Sequence, residues 1–111
     1  MKDILECVNL AKQVIEDKKG EKIKVLNIAE LSPIADYFIV ASGSNVNQLH
    51  AMSDEITEKL GKNGVHPRQI EGYRSANWIL MDYGDFIIHL FTDEARDFYN
   101  LERVWGDAKT V

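Results

Sequence analysis

The sequence is poor in cysteine, and its only thiol, Cys7, cannot form an internal disulfide. Cys7 lies among apolar residues at helical spacing, which predicts a small buried thiol in a reducing compartment and not a nucleophile. No apolar run approaches the roughly eighteen residues that a membrane span needs. Asp3 and Glu6 place acid where a signal peptide would be apolar. We therefore expect a cytoplasmic protein that is neither exported nor inserted into a membrane.

Basic residues are also in the minority. Thirteen Lys and Arg residues stand against eighteen Asp and Glu residues, so the formal net charge is -5 at pH 7. This charge disfavours attraction to phosphate backbones, and we expect no direct reading of nucleic acid. A basic protein surface is a better electrostatic match. With 111 residues, of which 45% are hydrophobic, the chain can bury one core, and we predict a single domain over residues 1–111.

Signatures of catalysis are scarce. No Asp-x-Asp pair occurs, although the metal chemistry of a nucleotidyltransferase needs carboxylates that alternate on a strand. His50, His66 and His89 are widely spaced and show no zinc-binding pattern. We therefore predict that the protein is not an enzyme and has no catalytic residue, metal or cofactor.

One turn keeps an enzymatic alternative open. Ser42, Gly43 and Ser44 lie between a predicted strand and a predicted helix, where free backbone N-H groups and the helix dipole favour an anion. The same small residues suit any tight connection between a strand and a helix, and we favour this structural interpretation. The alternative hypothesis is a nucleotidyltransferase-like enzyme or nucleotide-binding protein that holds phosphate at this turn.

Hydrophobic periodicity predicts elements in the order αββαβββα. The first helix precedes Gly20 and carries a regularly spaced apolar stripe: Ile4, Cys7, Val8, Ala11, Val14 and Ile15. The second helix follows the N-cap Asn45 and ends near Gly61. Strands are predicted over residues 23–28, 37–42, 65–70, 78–83 and 86–92, and Pro67 interrupts the third. Thr92 or Asp93 should cap a last helix, whose apolar stripe is Phe98, Leu101, Val104 and Trp105.

The two strongest strands predict a β-hairpin with two chemically different faces. If Tyr83 and Gly84 are the central turn residues, one face pairs Asp82 with Asp85, Leu80 with Ile87, Trp78 with His89, and Ala76 with Phe91. We call this set the mixed face, because it combines aromatic and aliphatic residues with carboxylates and an imidazole. The opposite face is almost wholly apolar and should be covered by helices: Ile79, Met81, Phe86, Ile88 and Leu90.

The mixed face is poorly suited to a dry core, since unpaired carboxylates are costly to bury. Its aromatic surface is of the kind found at binding hot spots, and its carboxylates would select a Lys- or Arg-bearing partner. The opposed Asp82 and Asp85 should also repel each other, which suggests a use beyond folding. We therefore predict a docking surface for a protein. The structural alternative is that Trp78 fills a second apolar layer under the first helix while the aspartates solvate a turn.

Three segments of the chain resemble a known family. They are ADYFIVASGS at residues 35–44, WILMDYGDFIIHLF at residues 78–91 and ARDFYNLERVW at residues 95–105. In this order they are similar to the ribosomal silencing factor family, also called RsfS or Iojap-related. The resemblance implies a compact α/β fold in which helices flank a mixed, roughly five-stranded sheet. That fold is similar to a nucleotidyltransferase fold without its catalytic acids.

The resemblance also implies an action. The expected partner is the large ribosomal subunit, bound through its ribosomal protein numbered fourteen, so that subunit joining is blocked sterically and translation is repressed under nutrient limitation. The family's partner-binding region matches the hairpin, which implies contacts by Trp78, Leu80, Asp82, Tyr83, Asp85 and His89. Trp78 and Leu80 would supply the desolvated centre, and the aspartates would pair with basic residues. In the free protein, the mixed face could instead close a homodimer.

Two other parts of the resembling segments lack a clear role. Asp36 and Tyr37 either support the mixed face or cap the edge of the sheet, and we favour the cap. Arg96, Asp97 and Tyr99 belong to the last segment, and the sequence assigns them no function.

Overall fold

The computed structural model describes residues 3–74, 77–99 and 109–110, with side chains for residues 3–74 and 77–96. The elements in chain order are α1 (Ile4–Asp17), β1 (Glu21–Asn27), β2 (Tyr37–Gly43), α2 (Val46–Gly61), β3 (Gln69–Glu71), β4 (Trp78–Asp82), β5 (Phe86–Thr92), α3 (Asp93–Tyr99) and β6 (Lys109–Thr110). The predicted order is confirmed, with β6 added. Several predicted residues or side chains lie outside the described residues: Ala76, Asp97, Phe98, Tyr99, Leu101, Val104 and Trp105.

The strands form one sheet in the order β3-β4-β5-β2-β1-β6. β2 and β5 are parallel, whereas the other neighbours are antiparallel, so the predicted mixed sheet is confirmed. Five strands match the prediction, and β6 extends the sheet by pairing with Leu26 and Asn27. Because β2 lies between β5 and β1, the idea that Asp36 and Tyr37 cap a sheet edge is wrong.

One face of the sheet packs against α1 and α2. The predicted apolar stripe of α1 supplies Cys7, Val8, Ala11, Val14 and Ile15 to this core, all of them buried. The apolar hairpin face that helices were expected to cover lies here and is buried throughout: Ile79, Met81, Phe86, Ile88 and Leu90. The prediction for this face is therefore confirmed.

The other face of the sheet carries a second apolar cluster, to which α3 contributes Ala95. Its buried members are Leu26, Ile28, Ala35, Phe38, Val40, Ile87, Phe91 and Ala95. Trp78 and Leu80 are partly buried and pack against this cluster. Trp78 does belong to a second apolar layer, but that layer lies on the face opposite α1, so its predicted place under the first helix is wrong.

The ends of the helices follow local capping chemistry. The Asn45 side chain accepts a hydrogen bond from the Gln48 backbone N-H at 2.9 Å, which confirms the predicted N-cap of α2. Thr92 Oγ1 accepts one from the Ala95 N-H at 3.3 Å, so Thr92 caps α3 while Asp93 opens it. The strand predicted from residue 65 begins only at Gln69, because the Val65 N-H donates to the Leu60 carbonyl and closes the end of α2.

Candidate functional site

The hairpin turn is shifted by one residue from the predicted turn. The Tyr83 N-H donates to the Phe86 carbonyl at 3.0 Å, so Gly84 and Asp85 are the central residues. Gly84 has φ +86°, which is the conformation that a tight hairpin turn with glycine in its first central position requires. The prediction of Tyr83 and Gly84 as central residues is therefore wrong.

The shifted turn changes the pairing but preserves the two faces. Trp78 pairs with Phe91, Leu80 with His89, and Asp82 with Ile87. Each pair moves by two positions, and because the side-chain period of a strand is two, the predicted paired residues of β4 and β5 stay on the mixed face. Asp82 and Asp85 do not form a cross-strand pair, so the prediction that they lie opposite each other and repel is wrong.

Trp78 and His89 form the polar centre of the mixed face. Trp78 Nε1 donates a hydrogen bond to His89 Nδ1 at 3.1 Å, and the indole stacks on Phe91 with ring centroids 5.1 Å apart. The edge-on ring of Phe38 lies 4.7 Å from the imidazole. Because Nδ1 is the acceptor, the neutral imidazole carries its proton on Nε2. His89 therefore fixes the position of the Trp78 ring.

Burial keeps His89 uncharged. Only 4% of the residue is exposed, and this desolvation lowers the pKa of His89 to about 4. Nε2 has no hydrogen-bond partner among the described residues. His89 is therefore too buried to contact a partner directly and instead packs beneath Trp78. The side chains of Trp78 and Leu80 are partly exposed to solvent.

The two aspartates of the hairpin have different surroundings. Asp82 is half-buried, and its Oδ1 accepts a hydrogen bond from the Gly84 N-H at 2.8 Å, which stabilises the turn. The Asp85 side chain is exposed, and its backbone carbonyl accepts from the Asp36 N-H at 2.8 Å. Asp36 and Tyr37 thus join the start of β2 to the turn through their backbone. Asp82 thus accepts a hydrogen bond within the turn, whereas the structural alternative expected both aspartates to solvate it. Asp85 is a turn residue beside a pocket that Cys7 and Phe86 of the α1 side also line, so its predicted place on the mixed face opposite Asp82 is wrong.

Tyr83 does not lie on the mixed face. It is 8% exposed and belongs to the core cluster under α1 and α2, where its ring stacks on Phe86 with centroids 4.8 Å apart. Burial raises the pKa of Tyr83 to about 12. The expectation that Tyr83 presents its ring and hydroxyl at the turn is therefore wrong.

Glu71 is a member of the mixed face that the sequence analysis missed. β3 pairs with β4 so that Glu71 lies opposite Leu80, and Gln69 lies opposite Asp82. Residues opposite each other in an antiparallel pair share a face, which places the exposed Glu71 carboxylate beside Leu80. The sequence predicts a strand over residues 65–70, but its pattern does not show which strand it pairs with. Glu71 also lies one residue beyond the predicted end of that strand.

The small-residue turn after β2 is filled by the protein's own side chains. Ser42 is buried, and its Oγ donates to the Glu21 carbonyl at 3.2 Å. The Ser44 N-H and Oγ donate to Gln48 Oε1 at 2.7 and 3.1 Å. A Cβ added to Gly43 would lie 2.9 Å from the same Oε1, which explains the glycine. Since these donors already have internal acceptors, the geometry favours the structural interpretation over an anion site.

The remaining polar residues form no recognisable reaction centre in the described part of the chain. His50 Nε2 donates to the Tyr73 carbonyl at 2.6 Å, His66 is exposed, and Arg96 is buried in α3. Within residues 3–74 and 77–96, no three His, Cys, Asp or Glu side chains come together as they would to hold a metal ion. None of the described helices has the length and apolar character of a membrane span.

Comparisons with known proteins agree with the fold. The family model described as "Ribosomal silencing factor during starvation" matches residues 1–111. "Ribosomal silencing factor RsfS" from Halalkalibacterium halodurans is 39% identical over 106 residues, covering 96% of this chain and 91% of that protein. A crystal structure of a protein from Chromobacterium violaceum superposes with a TM-score of 0.91 and 34% identity, covering 95% of this chain and 88% of that one.

A more distant relative carries an informative name. "Mitochondrial assembly of ribosomal large subunit protein 1" from Mus musculus is 29% identical over 101 residues, which span 88% of this chain and 44% of the mouse protein. The names of these relatives describe regulatory or assembly roles and no catalysed reaction.

Proposed function

The chain belongs to the ribosomal silencing factor family, and we propose that it silences ribosomes by binding the large subunit through the ribosomal protein numbered fourteen. A protein bound there would stand where the small subunit docks, and it would repress translation under nutrient limitation without any chemistry. This role requires the compartment that contains ribosomes, which we propose to be the cytoplasm. The whole of residues 1–111 would act as one domain.

The mixed face is the observation that carries this proposal. Trp78 and Leu80 are partly exposed side chains on β4, a strand held between β3 and β5, so an aromatic anchor is presented on a rigid surface. Trp and Tyr are the residues most often found at binding hot spots. The carboxylates of Asp82 and Glu71 flank this centre, Asp85 lies at the tip of the turn, and these acids would select a basic partner.

The residues of this face would contribute in two ways. Trp78, Leu80 and Asp85 would touch the partner, and Asp82 would combine a charge with stabilisation of the turn. His89 would contribute indirectly by holding Trp78 in position, because it accepts a hydrogen bond from the indole N-H. Tyr83 would act through the core that supports the turn. The name of the mouse relative, which refers to the ribosomal large subunit, supports the choice of subunit.

The direct test is sucrose-gradient sedimentation of purified ribosomal subunits with the wild-type protein or with Trp78→Ala. We expect wild type to migrate with the large subunit and to lower the fraction of joined ribosomes. Truncation of a central tryptophan at an interface typically lowers affinity by roughly 30-fold to 1000-fold, so Trp78→Ala should do neither at the same concentration. Trp78→Phe keeps a ring against Phe91 and should retain part of the binding.

The matched control is Leu5→Ala, which removes a large apolar side chain of 37% exposure from α1, on the opposite side of the sheet. Circular dichroism should show native folding for each variant. If wild type leaves subunit joining unchanged, the silencing function is wrong for this protein. If Leu5→Ala loses binding as Trp78→Ala does, the mixed face is not the docking surface.

A further inference from the structure

A groove lies beside Trp78 at the edge of the sheet. It has a volume of about 200 Å³ and is lined by Glu71, Gly72, Trp78 and Leu80. Gly72 allows the groove to form, because a Cβ at this position would lie 2.1 Å from the Trp78 carbonyl oxygen. Its φ of +79° also favours glycine. The backbone after β3 can therefore pass close to the start of β4, which places Glu71 at the edge of the groove.

The walls of the groove differ in chemistry. Trp78 and Leu80 supply aromatic and aliphatic surface, whereas Glu71 supplies an exposed carboxylate. This carboxylate accepts a hydrogen bond from Gln69 Nε2 but forms no ion pair with any residue that the structure describes. The groove thus offers an apolar wall and, among the described residues, a carboxylate without a basic partner within the same small volume.

We propose that this groove binds a lysine or arginine side chain of the ribosomal protein to which the mixed face docks. Long basic side chains have apolar stems and charged heads, and the stem would lie along Trp78 and Leu80 while the head reaches Glu71. A cation near the indole face would gain a further attraction. The inference rests on the proposed function and adds Glu71 as the residue that selects a basic group.

A second copy of this chain is the competing occupant, and charge argues against it. Each copy has a net charge of -5, and a symmetric contact through the mixed face would bring the carboxylates of Glu71 and Asp82 of both copies into one interface. Like charges placed together at an interface disfavour association. A basic partner removes this repulsion, and so it is the occupant that the charges of the groove favour.

The test measures binding to purified large subunits by wild type, Glu71→Gln and Glu71→Lys. Loss of one close charge contact should weaken binding about 5-fold to 30-fold in Glu71→Gln, and the reversed charge should weaken it further. Glu16→Lys, an equal charge change at an exposed site of α1, is the control and should change affinity less than about 2-fold. Thermal unfolding should be the same for the variants.

A second readout separates a charge contact from a change in shape. Salt weakens attraction between opposite charges, so the binding of Glu71→Gln should depend less on salt than that of wild type. If wild type binds and both Glu71 variants bind like Glu16→Lys, with an unchanged salt dependence, the groove proposal is wrong while the silencing function stands. If wild type does not bind large subunits, both proposals fail together.

Discussion

His89 makes the stability of the protein depend on pH. Burial lowers its pKa to about 4 in the folded protein, whereas an unfolded histidine titrates near 6.5. Between these values the unfolded state binds a proton that the folded state does not, so the free energy of unfolding falls as the pH falls. This single group should remove about 3 kcal/mol between pH of about 6.5 and about 4. Urea denaturation at a series of pH values measures the slope.

The His89→Gln variant isolates this contribution. Its amide oxygen can accept from Trp78 Nε1, but the side chain does not titrate. The variant should therefore show a smaller fall in unfolding free energy between pH of about 6.5 and about 5, above the range in which most carboxylates are protonated. His66→Gln, which removes an exposed histidine, is the matched control with which the slope of His89→Gln is compared. Equal slopes in wild type and His89→Gln would show that His89 is not held neutral in the fold.

At the scale of elements, Gln48 joins α1, β2 and α2. Its Nε2 donates to the Lys18 and Lys19 carbonyls at the end of α1, and its Oε1 accepts from Ser44 after β2. We expect Gln48→Ala to lower the free energy of unfolding by about 1 to 3 kcal/mol, because several acceptors and donors lose their partner together. Urea denaturation at neutral pH measures this change.

Gln13→Ala is the matched control for this prediction. Gln13 also lies in a helix and donates to Asp17 at 3.1 Å, but this contact is exposed and joins no other element. Its loss should change the free energy of unfolding by less than about 0.5 kcal/mol. Equal effects of the two variants would mean that Gln48 does not couple the helices. A gain of phosphate affinity in Gln48→Ala alone would show that its side chain fills a latent anion site.

The hairpin shows how far sequence patterns can specify an element. Alternation along β4 and β5 was sufficient to assign both faces, since a face survives any register shift of two residues. The turn is hard to place from the sequence, because Tyr83-Gly84 and Gly84-Asp85 overlap and a glycine of positive φ fits either pair of central residues. The hydrogen bond from the Tyr83 N-H to the Phe86 carbonyl selects Gly84 and Asp85. Tyr83 was then expected at the tip, although the true register places its ring in the core.

At the scale of the whole molecule, the sequence patterns identified the elements better than their arrangement. The parallel pairing of β2 with β5 joins residues that are far apart in the chain, and no local pattern encodes such a contact. The position of β3 beside β4 could not be predicted either, because its three exposed residues show almost no hydrophobic periodicity. Glu71 was missed for this reason, and with it the acidic rim beside Trp78.

The charge of the whole molecule distinguishes partner binding from self-association in the free protein. We expect any homodimer through the mixed face to be weak at low salt, since two copies of charge -5 would bring their carboxylates together. Raising NaCl from about 0.1 M to about 1 M shortens the Debye length from roughly 10 Å to 3 Å and should strengthen self-association. Binding to a basic ribosomal protein should weaken over the same range.

Sedimentation velocity at both salt concentrations tests this prediction. The Trp78→Ala variant should remain monomeric at high salt, because it lacks the aromatic surface that would close the dimer. Leu5→Ala should behave as wild type, since Leu5 lies on the other side of the sheet. A dimer that dissociates as salt rises would require an attractive charge contact between copies. The acidic mixed face cannot supply that contact to itself, so such a dimer would use another surface.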